Sequence, residues 1–286
     1  MSSLANLLRR RRAHSKNPFG RIEKIESVLS PELGNERDLL VSLPGGYATG
    51  DRLYPVIYMH DGQNLFDPAT SFSGSWNVDL AMAEMSLEGL DAIVVGIPNM
   101  GRDRLAEYSP FAHPQLGGGS GEAYLEFLIN TVKPLIDERY LTAPDREHTG
   151  IAGSSLGGLI SLYAFFRHPT VFGFAGVLSP SLWLTEAKMF EYIDRSPFVP
   201  GKLYLDVGDQ EGERHVSKAL KLLDLLKSKG YKQGVDLMWV EEEHGWHHES
   251  AWARRFRDAL PFLLPPVVNT AEFELPQTGG SRSTEE

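Results

Sequence analysis

The chain has 286 residues, of which 42% are hydrophobic, and its formal net charge is −10. This length fits one large α/β domain with a sizeable core, and the acidic balance argues against nucleic acid as a partner, because phosphate binding needs a basic face. The sequence holds no cysteine, which excludes disulfides, thiolate zinc sites and cysteine nucleophiles and fits a reducing, cytoplasmic location.

The two ends differ in composition from the middle. Residues 1–20 are predicted to form a flexible basic arm containing the run Arg9–Arg12, whose charges are either simply solvated or contact an anionic surface. Residues 21–265 are predicted to form one domain, and the polar residues 266–286 a disordered tail. Since no stretch approaches the roughly 18 apolar residues of a membrane span, no membrane partner is expected.

The first predicted elements are strands. Ile22–Leu29 and Arg37–Leu43 predict an antiparallel pair at the start of the domain. Tyr54–Met59 and Ala92–Ile97 are short runs that are apolar on both faces and are bounded by turn residues. Such runs are typical of buried parallel strands.

Helical and strand patterns then alternate. Gly121–Tyr140 carries a helical apolar stripe, and Pro134 within it predicts a kink or break, because proline removes a helix hydrogen bond. His148–Ala152, Phe174–Leu178 and Lys202–Val207 continue the series of buried strands.

The last part of the chain repeats this alternation. Glu213–Lys229 predicts a helix that ends before Gly230, and one side of it is predicted to be buried. The apolar residues on that side are Val216, Leu220, Leu223 and Leu226. Val235–Val240 predicts a final strand, and a helix begins near Glu249. The alternation predicts a mostly parallel sheet with helices on both faces, in which functional residues gather at the carboxyl ends of the strands.

A candidate nucleophile follows the strand His148–Ala152. Gly153–Gly158 matches the pattern G-x-S-x-G with Ser155 at its centre, and a helical pattern follows directly. A serine on such a sharp strand-to-helix turn crowds the residues two positions away, so glycine is required there. Ser154 is a weaker alternative, because it lacks a glycine two positions before it.

The acid and base of a catalytic triad are expected in the order serine, acid, histidine. Candidate acids after the strand Lys202–Val207 are Asp206, Asp209 and Glu211, and spacing does not separate the last two. Asp206 lies near the strand end, where its side chain is expected to point into a helix layer.

Three histidines follow the final strand. His247 is best placed as the base, because it lies just before the helix, and His244 and His248 are the alternatives. A metal site is disfavoured here, because the H-E-x-x-H spacing of zinc enzymes is absent. No metal and no cofactor are predicted.

The oxyanion hole of a hydrolase needs two N–H donors. One is expected from Leu156, which follows the nucleophile, and the other from Gln63, on the loop after Tyr54–Met59. Asp61 and Asn64 on the same loop fit an Asx-type turn and are also predicted to bind substrate.

Two long loops are predicted to form the walls of the site. They span Asn99–Gly121 and Ser179–Pro200, and Trp183 in the second is a predicted substrate contact. Arg102 and Arg104 in the first are interpreted as surface charges rather than as ligands for an anion.

Four segments together resemble a known family. They are Tyr54–Asp67, Gly153–Gly158, Leu203–Glu211 and His247–Trp252. The resemblance is to the "Putative esterase" family of α/β-hydrolases, which includes enterochelin, feruloyl and acetylxylan esterases, esterase D relatives and mycolyl transferases. It implies an α/β-hydrolase fold and a serine esterase that needs no cofactor.

The resemblance also sharpens the choice of residues. The family acid occupies the fourth position of a Gly-x-x-Asp/Glu segment, which here begins at Gly208 and implies Glu211 rather than Asp209. The family histidine has a tryptophan five residues later, which His247 and Trp252 match. The family oxyanion donor follows an Asp-Gly pair, which implies Gln63.

The expected function is hydrolysis of a small carboxylic ester through an acyl-enzyme. Short-chain acyl, carbohydrate or phenolic esters are the favoured substrates, and a siderophore ester comes next. An acyltransferase with the same triad and a non-catalytic binding protein with this fold remain alternatives.

Overall fold

The computed structural model describes residues 20–47, 52–185 and 187–269. The predicted basic arm with Arg9–Arg12 therefore lies outside the described residues, as do residues 270–286 of the predicted tail. Within the described part, no helix is long and apolar enough to cross a membrane.

Eight strands form one central sheet. They are β1 Arg21–Ser30, β2 Asn35–Leu43, β4 Val56–His60, β5 Ile93–Ile97, β6 Thr149–Ser154, β7 Phe174–Leu178, β8 Lys202–Gly208 and β9 Leu237–Glu242. Their order across the sheet is β1-β2-β5-β4-β6-β7-β8-β9. The pairings β1–β2 and β2–β5 are antiparallel, and all pairings from β5 to β9 are parallel. The predicted antiparallel opening pair and mostly parallel sheet are confirmed.

Eight α-helices accompany the sheet in the described residues. They are α1 Val78–Leu87, α2 Arg104–Tyr108, α3 Gly121–Glu126, α4 Lys133–Arg139, α5 Leu156–Arg167, α6 Lys188–Arg195, α7 Glu213–Ser228 and α8 Glu249–Leu263. Helices α1 and α8 cover one face, and α3, α4, α5 and α7 cover the other. The strands alternate between the two cores, as Val56 and Tyr58 of β4 face one and Ile57 and Met59 the other.

The predicted helix Gly121–Tyr140 is interrupted. A π-helical turn, Phe127–Val132, separates α3 from α4, and Pro134 lies in the first turn of α4. Proline is tolerated there because the first N–H groups of a helix have no intrahelical acceptor. The predicted irregularity near Pro134 thus takes the form of a π turn ahead of the proline.

The predicted buried side of α7 is partly wrong. The buried residues are Ala219, Leu222, Leu223 and Leu226. Leu220 is 39% exposed, because the stripe that faces the sheet is centred between Ala219 and Leu223 rather than on Leu220. Gly230 follows the helix with φ +105°, as expected for a residue that ends a helix in the left-handed region.

Two predicted boundaries also differ from the structure. The strand predicted at Val235–Val240 begins at Leu237, because a backbone turn from Lys232 to Asp236 leaves Val235 exposed. The predicted tail begins at residue 266, yet β10, Val268–Asn269, pairs with β3, Arg52–Leu53.

Candidate active site

Ser155 occupies a strained turn between β6 and α5. Its backbone has φ +57° and ψ −117°, a combination that costs a non-glycine residue on the order of 1–3 kcal/mol. Three backbone hydrogen bonds hold it: the Ser155 N–H donates to Leu178 O at 3.0 Å, and Ser155 O accepts from Ser181 and Leu159 at 2.9 and 3.0 Å. The fold therefore maintains a conformation that exposes the serine hydroxyl.

The glycines of the turn lie against His60 at the end of β4. A Cβ at Gly153 would lie 2.9 Å from His60 Cδ2, and one at Gly157 would lie 3.1 Å from His60 Cβ. Burial lowers the pKa of His60 to about 3, so this ring is neutral, and its Nδ1 lies 2.8 Å from the Tyr124 hydroxyl. The predicted need for glycine is met: a Cβ at Gly153 would also lie 3.0 Å from Gly157 C within the turn, and His60, which sequence reasoning missed, adds a second constraint.

The structure brings three predicted residues into one hydrogen-bonded chain. Ser155 Oγ lies 3.0 Å from His247 Nε2, and His247 Nδ1 lies 2.8 Å from Glu211 Oε2. Asp209 is not part of this chain, since its carboxylate accepts a hydrogen bond from its neighbour Gln210. A second hydroxyl that the sequence did not indicate, Ser181 Oγ, lies 3.0 Å from Ser155 Oγ.

Glu211 is oriented by donors to its other oxygen. Oε1 accepts hydrogen bonds from Ser179 Oγ at 2.6 Å, from the Gly208 N–H at 2.9 Å and from Arg255 Nη2 at 3.1 Å. Burial alone would raise the pKa of Glu211, but the hydrogen bonds from His247, Ser179 and Gly208 lower it to about 2. The carboxylate is therefore ionised and presents Oε2 to the histidine.

Asp206, the third candidate acid, supports this arrangement from within β8. Its Oδ1 accepts hydrogen bonds from the Ser179 N–H and from Arg255 Nη1, both at 2.9 Å. Arg255 on α8 thus joins Asp206 to Glu211, and its Nε lies 3.2 Å from Glu242. The expectation that Asp206 points into a helix layer is met, whereas Arg255 and Ser179 were not indicated by sequence reasoning.

The three histidines before α8 lie in different environments. His247 is flanked by two rings, with Trp252 edge-on at 4.8 Å and His215 at 4.9 Å between ring centroids. His248 caps α8, because its Nδ1 accepts the Ser250 N–H at 3.2 Å. His244 is exposed and lies 3.7 Å from Glu243. Within the described residues, Glu211, His215 and His247 form one group with metal-ligand spacing.

The two predicted oxyanion donors lie at helix starts. Gln63 is in the 3₁₀ turn Gly62–Asn64, and Leu156 is the first residue of α5, so neither N–H has an acceptor within its own helix. Gly62 is required by close packing, since a Cβ there would lie 2.6 Å from Gly96 C and 2.7 Å from Ile97 N.

A cavity of about 630 Å³ opens in front of Ser155 and His247. Most of the residues that line it are polar, and Phe72 and Trp252 supply aromatic surface. The charged and amide side chains that line it are Asp61, Gln63, Asn64, Asn99, Arg104 and Glu249. Of the predicted substrate contacts, Asp61 and Asn64 border this cavity, whereas Trp183 lies outside its lining and beside Arg214.

The interpretation of Arg104 as a surface charge is wrong. Its side chain is 27% exposed, and Nε and Nη2 bind the two carboxylate oxygens of Asp61 at 2.7 and 2.8 Å. Asn99 Nδ2 donates to the same carboxylate at 2.6 Å. Asn64 Oδ1 accepts the Phe72 N–H at 3.0 Å and so holds the loop that carries this ring. Arg102, by contrast, is exposed.

Comparison with known proteins places these features in a family. The family model described as "Putative esterase" matches residues 30–263. The uncharacterized protein YbbA of Bacillus subtilis is 30% identical over 255 residues, which cover 84% of this chain and 97% of that protein.

Two further relatives carry esterase names. An endo-1,4-beta-xylanase/feruloyl esterase of Xylanibacter ruminicola is 26% identical over 74% of this chain, and the match spans 28% of the relative. A siderophore triacetylfusarinine C esterase of Aspergillus fumigatus is 32% identical over 50% of this chain and 51% of the relative.

Among solved structures, an IroE-like serine hydrolase from Shewanella oneidensis aligns with a TM-score of 0.70. Its identity is 21%, and the alignment covers 85% of this chain and 79% of that one, so the likeness shows a shared fold. The predicted α/β-hydrolase fold is confirmed. The chain belongs to the family described as "Putative esterase", and it is a carboxylic-ester hydrolase.

Proposed function

We propose that the enzyme hydrolyses small carboxylic esters through a triad of Ser155, His247 and Glu211 and a covalent acyl-enzyme. The observation that carries this proposal is the continuous chain of hydrogen bonds from Ser155 Oγ through His247 to Glu211, at 3.0 and 2.8 Å. A serine hydroxyl needs such a base and orienting acid to become a nucleophile.

Each step then has a residue that performs it. Ser155 Oγ attacks the ester carbonyl carbon while His247 Nε2 takes the hydroxyl proton, and Glu211 stabilises the resulting imidazolium. The N–H groups of Gln63 and Leu156 stabilise the negatively charged oxygen of the tetrahedral intermediate. The intermediate expels the alcohol, which takes the proton from His247. Water activated by His247 then releases the acid and restores Ser155.

The cavity supports esters that carry polar groups. A volume of about 630 Å³ suits a small organic molecule, and the amides of Gln63 and Asn99 and the charges of Arg104 and Glu249 can pair with hydroxyl groups. Phe72 and Trp252 add surface for an aromatic ring. We therefore favour short-chain acyl, carbohydrate or phenolic esters, and the feruloyl esterase name of one relative is consistent with this choice.

A siderophore ester is the second candidate, because another relative is named a siderophore esterase. A panel of esters with varied acyl and alcohol groups separates the two, since the favoured class predicts the highest kcat/KM for acetyl or feruloyl esters of sugars. Product analysis with added glycerol or glucose tests acyl transfer, because a transferase would form the corresponding new ester. The absence of turnover across the whole panel would contradict the proposal.

A further inference from the structure

The group formed by Glu211, His215 and His247 has a geometry suited to a metal ion. One ligand atom from each residue lies within 4.8 Å of the other two. His215 lies in the first turn of α7, and its Nε2 is shielded from solvent and lacks a hydrogen-bond partner within the described residues. Buried polar atoms normally have partners, so an unpaired nitrogen is unusual. A bound ligand would supply the partner that this nitrogen lacks.

The donor set matches the preferences of Zn²⁺. Two imidazole nitrogens and one carboxylate oxygen form a common zinc ligand set, with bond lengths of about 2.0–2.2 Å. Tetrahedral coordination at these lengths puts ligand atoms about 3.3 Å apart, so small side-chain rotations from the present positions would suffice.

The group is open to solvent beside His247, whose side chain is 31% exposed, whereas the side chain of Glu211 is fully buried. A second cavity, of about 420 Å³, borders Glu211 and His247, and the exposed Trp246 and His248 form its rim. The charges beside the group have opposite effects on cation binding. The ionised Glu211 attracts a cation, whereas Arg255, 3.1 Å from Glu211 Oε1, opposes one. The balance favours reversible binding over a permanently occupied structural site.

We propose that Glu211, His215 and His247 form an inhibitory binding site for Zn²⁺. The binding site depends only on these three side chains, whereas the inhibition rests on the proposed function of the triad. Zinc would bind where His247 Nδ1 now contacts Glu211 Oε2.

The inhibition follows from the tautomer of His247. With Zn²⁺ on Nδ1, the single proton of the neutral imidazole resides on Nε2, which faces Ser155 Oγ. Nε2 then has no lone pair to accept the serine proton, so the nucleophile is not activated. The proton moves from Nδ1 to Nε2 through solvent, no bond in the substrate changes, and removal of the metal restores activity.

The matched test compares His215→Phe with His244→Asn. Phenylalanine keeps a ring beside His247 but has no ligand atom, and His244 is an exposed histidine outside the group. Hydrolysis of p-nitrophenyl acetate is measured at increasing ZnCl₂, and EDTA is then added. We expect reversible inhibition of the wild type and of His244→Asn, and about a 100-fold higher zinc concentration for half-inhibition of His215→Phe. Equal inhibition of all three proteins, or no inhibition of the wild type, would overturn the proposal.

Zinc binding is also measured without turnover, by competition with a chromophoric chelator. Ser155→Ala should bind Zn²⁺ as the wild type does, and addition of His215→Phe or His215→Asn should weaken this binding by about 100-fold. Both His215→Phe and His215→Asn are tested in case one of them fails to fold, and circular dichroism shows whether each variant is folded. If the wild type binds zinc through His215 but shows no ester turnover, the proposed function is refuted and the metal site is supported. Full ester turnover without zinc binding would refute the metal site alone.

Discussion

At the scale of single residues, the two acids after β8 illustrate how position decides chemistry. Asp209 and Glu211 lie two residues apart on one loop, yet only Glu211 has three donors on one oxygen and His247 on the other. The donors hold the carboxylate ionised and immobile, which is what an orienting acid requires.

The first prediction compares Glu211→Gln with Asp209→Asn. The amide introduced by Glu211→Gln cannot stabilise a charged imidazolium and favours the wrong tautomer of His247, so we expect kcat to fall by about 10³–10⁴-fold. Asp209→Asn removes an equal charge outside the hydrogen-bonded chain, and we expect less than about a twofold change. Steady-state hydrolysis of p-nitrophenyl acetate measures both. Equal losses in the two variants would contradict the assignment of the acid.

The three residues of the proposed triad could be proposed from the sequence because each lies in a short pattern, although the choice of Glu211 needed the family resemblance. The glycines around Ser155 and the tryptophan after His247 are readable within a few positions of the residue concerned. Arg255 and His60 could not be predicted, because their contacts with Glu211, 44 positions away, and with Gly153, 93 positions away, exist only in the folded chain. A single sequence offers no signal for such pairs.

At the scale of elements, the turn Gly62–Asn64 carries Gln63 and is packed against the end of β5. Its position depends on the missing side chain of Gly62, because backbone atoms of Gly96, Ile97 and Pro98 lie within 2.8 Å of where a Cβ would stand. Since these are backbone atoms, a side chain at this position forces the turn itself to move.

The second prediction therefore concerns Gly62→Ala. Displacement of the Gln63 N–H should remove one oxyanion donor and lower kcat by about 10²–10³-fold. Overpacking should also lower the free energy of unfolding by about 1–3 kcal/mol. Gly46→Ala is the control, since a Cβ at Gly46 meets no atom within 4 Å and should leave both quantities unchanged. Wild-type kcat in Gly62→Ala would show that this turn does not supply a donor.

The elements themselves could largely be predicted, because strands buried on both faces leave continuous apolar runs. Two predictions were wrong because an apolar residue was assumed to be buried. Leu220 and Val235 are both exposed, the first at the margin of a helical stripe and the second in a turn. The strand β10 was missed because two residues are too few to form a periodic pattern.

At the scale of the whole molecule, Arg255 ties the helix layer to the sheet and to the site. Its side chain is 3% exposed and contacts Asp206 on β8, Glu211 beyond it and Glu242 on β9. Burial raises the pKa of Asp206 to about 7, despite the opposing effect of Arg255. We therefore expect both the stability of the fold and the position of Glu211 to depend on the Arg255 guanidinium.

The third prediction compares Arg255→Met with Arg257→Met on the same helix. Loss of Arg255 leaves buried carboxylates unpaired, so we expect the free energy of unfolding at pH 7 to fall by about 3–5 kcal/mol. Arg257 is 48% exposed, and its replacement should cost at most about 0.5 kcal/mol. Urea denaturation measures both variants.

The destabilisation caused by Arg255→Met should be smaller at low pH. Asp206 binds its proton more tightly in the folded state than in the unfolded state, where its pKa is near 3.8. The folded protein is therefore penalised as the pH rises from about 4 to 7, and protonation near pH 5 should relieve part of the loss in Arg255→Met. A loss that is as large at pH 5 as at pH 7 would contradict the role given to Asp206.

A comparison of Ser155→Ala with Ser154→Ala decides whether Ser155 is the nucleophile. Labelling by a fluorophosphonate probe and hydrolysis of p-nitrophenyl acetate are measured on both variants and on the wild type. We predict that Ser155→Ala is not labelled and that its kcat falls by about 10⁴–10⁶-fold, while Ser154→Ala is labelled and active. Labelling and hydrolysis that persist in Ser155→Ala and disappear in Ser154→Ala would show that Ser154, and not Ser155, is the nucleophile.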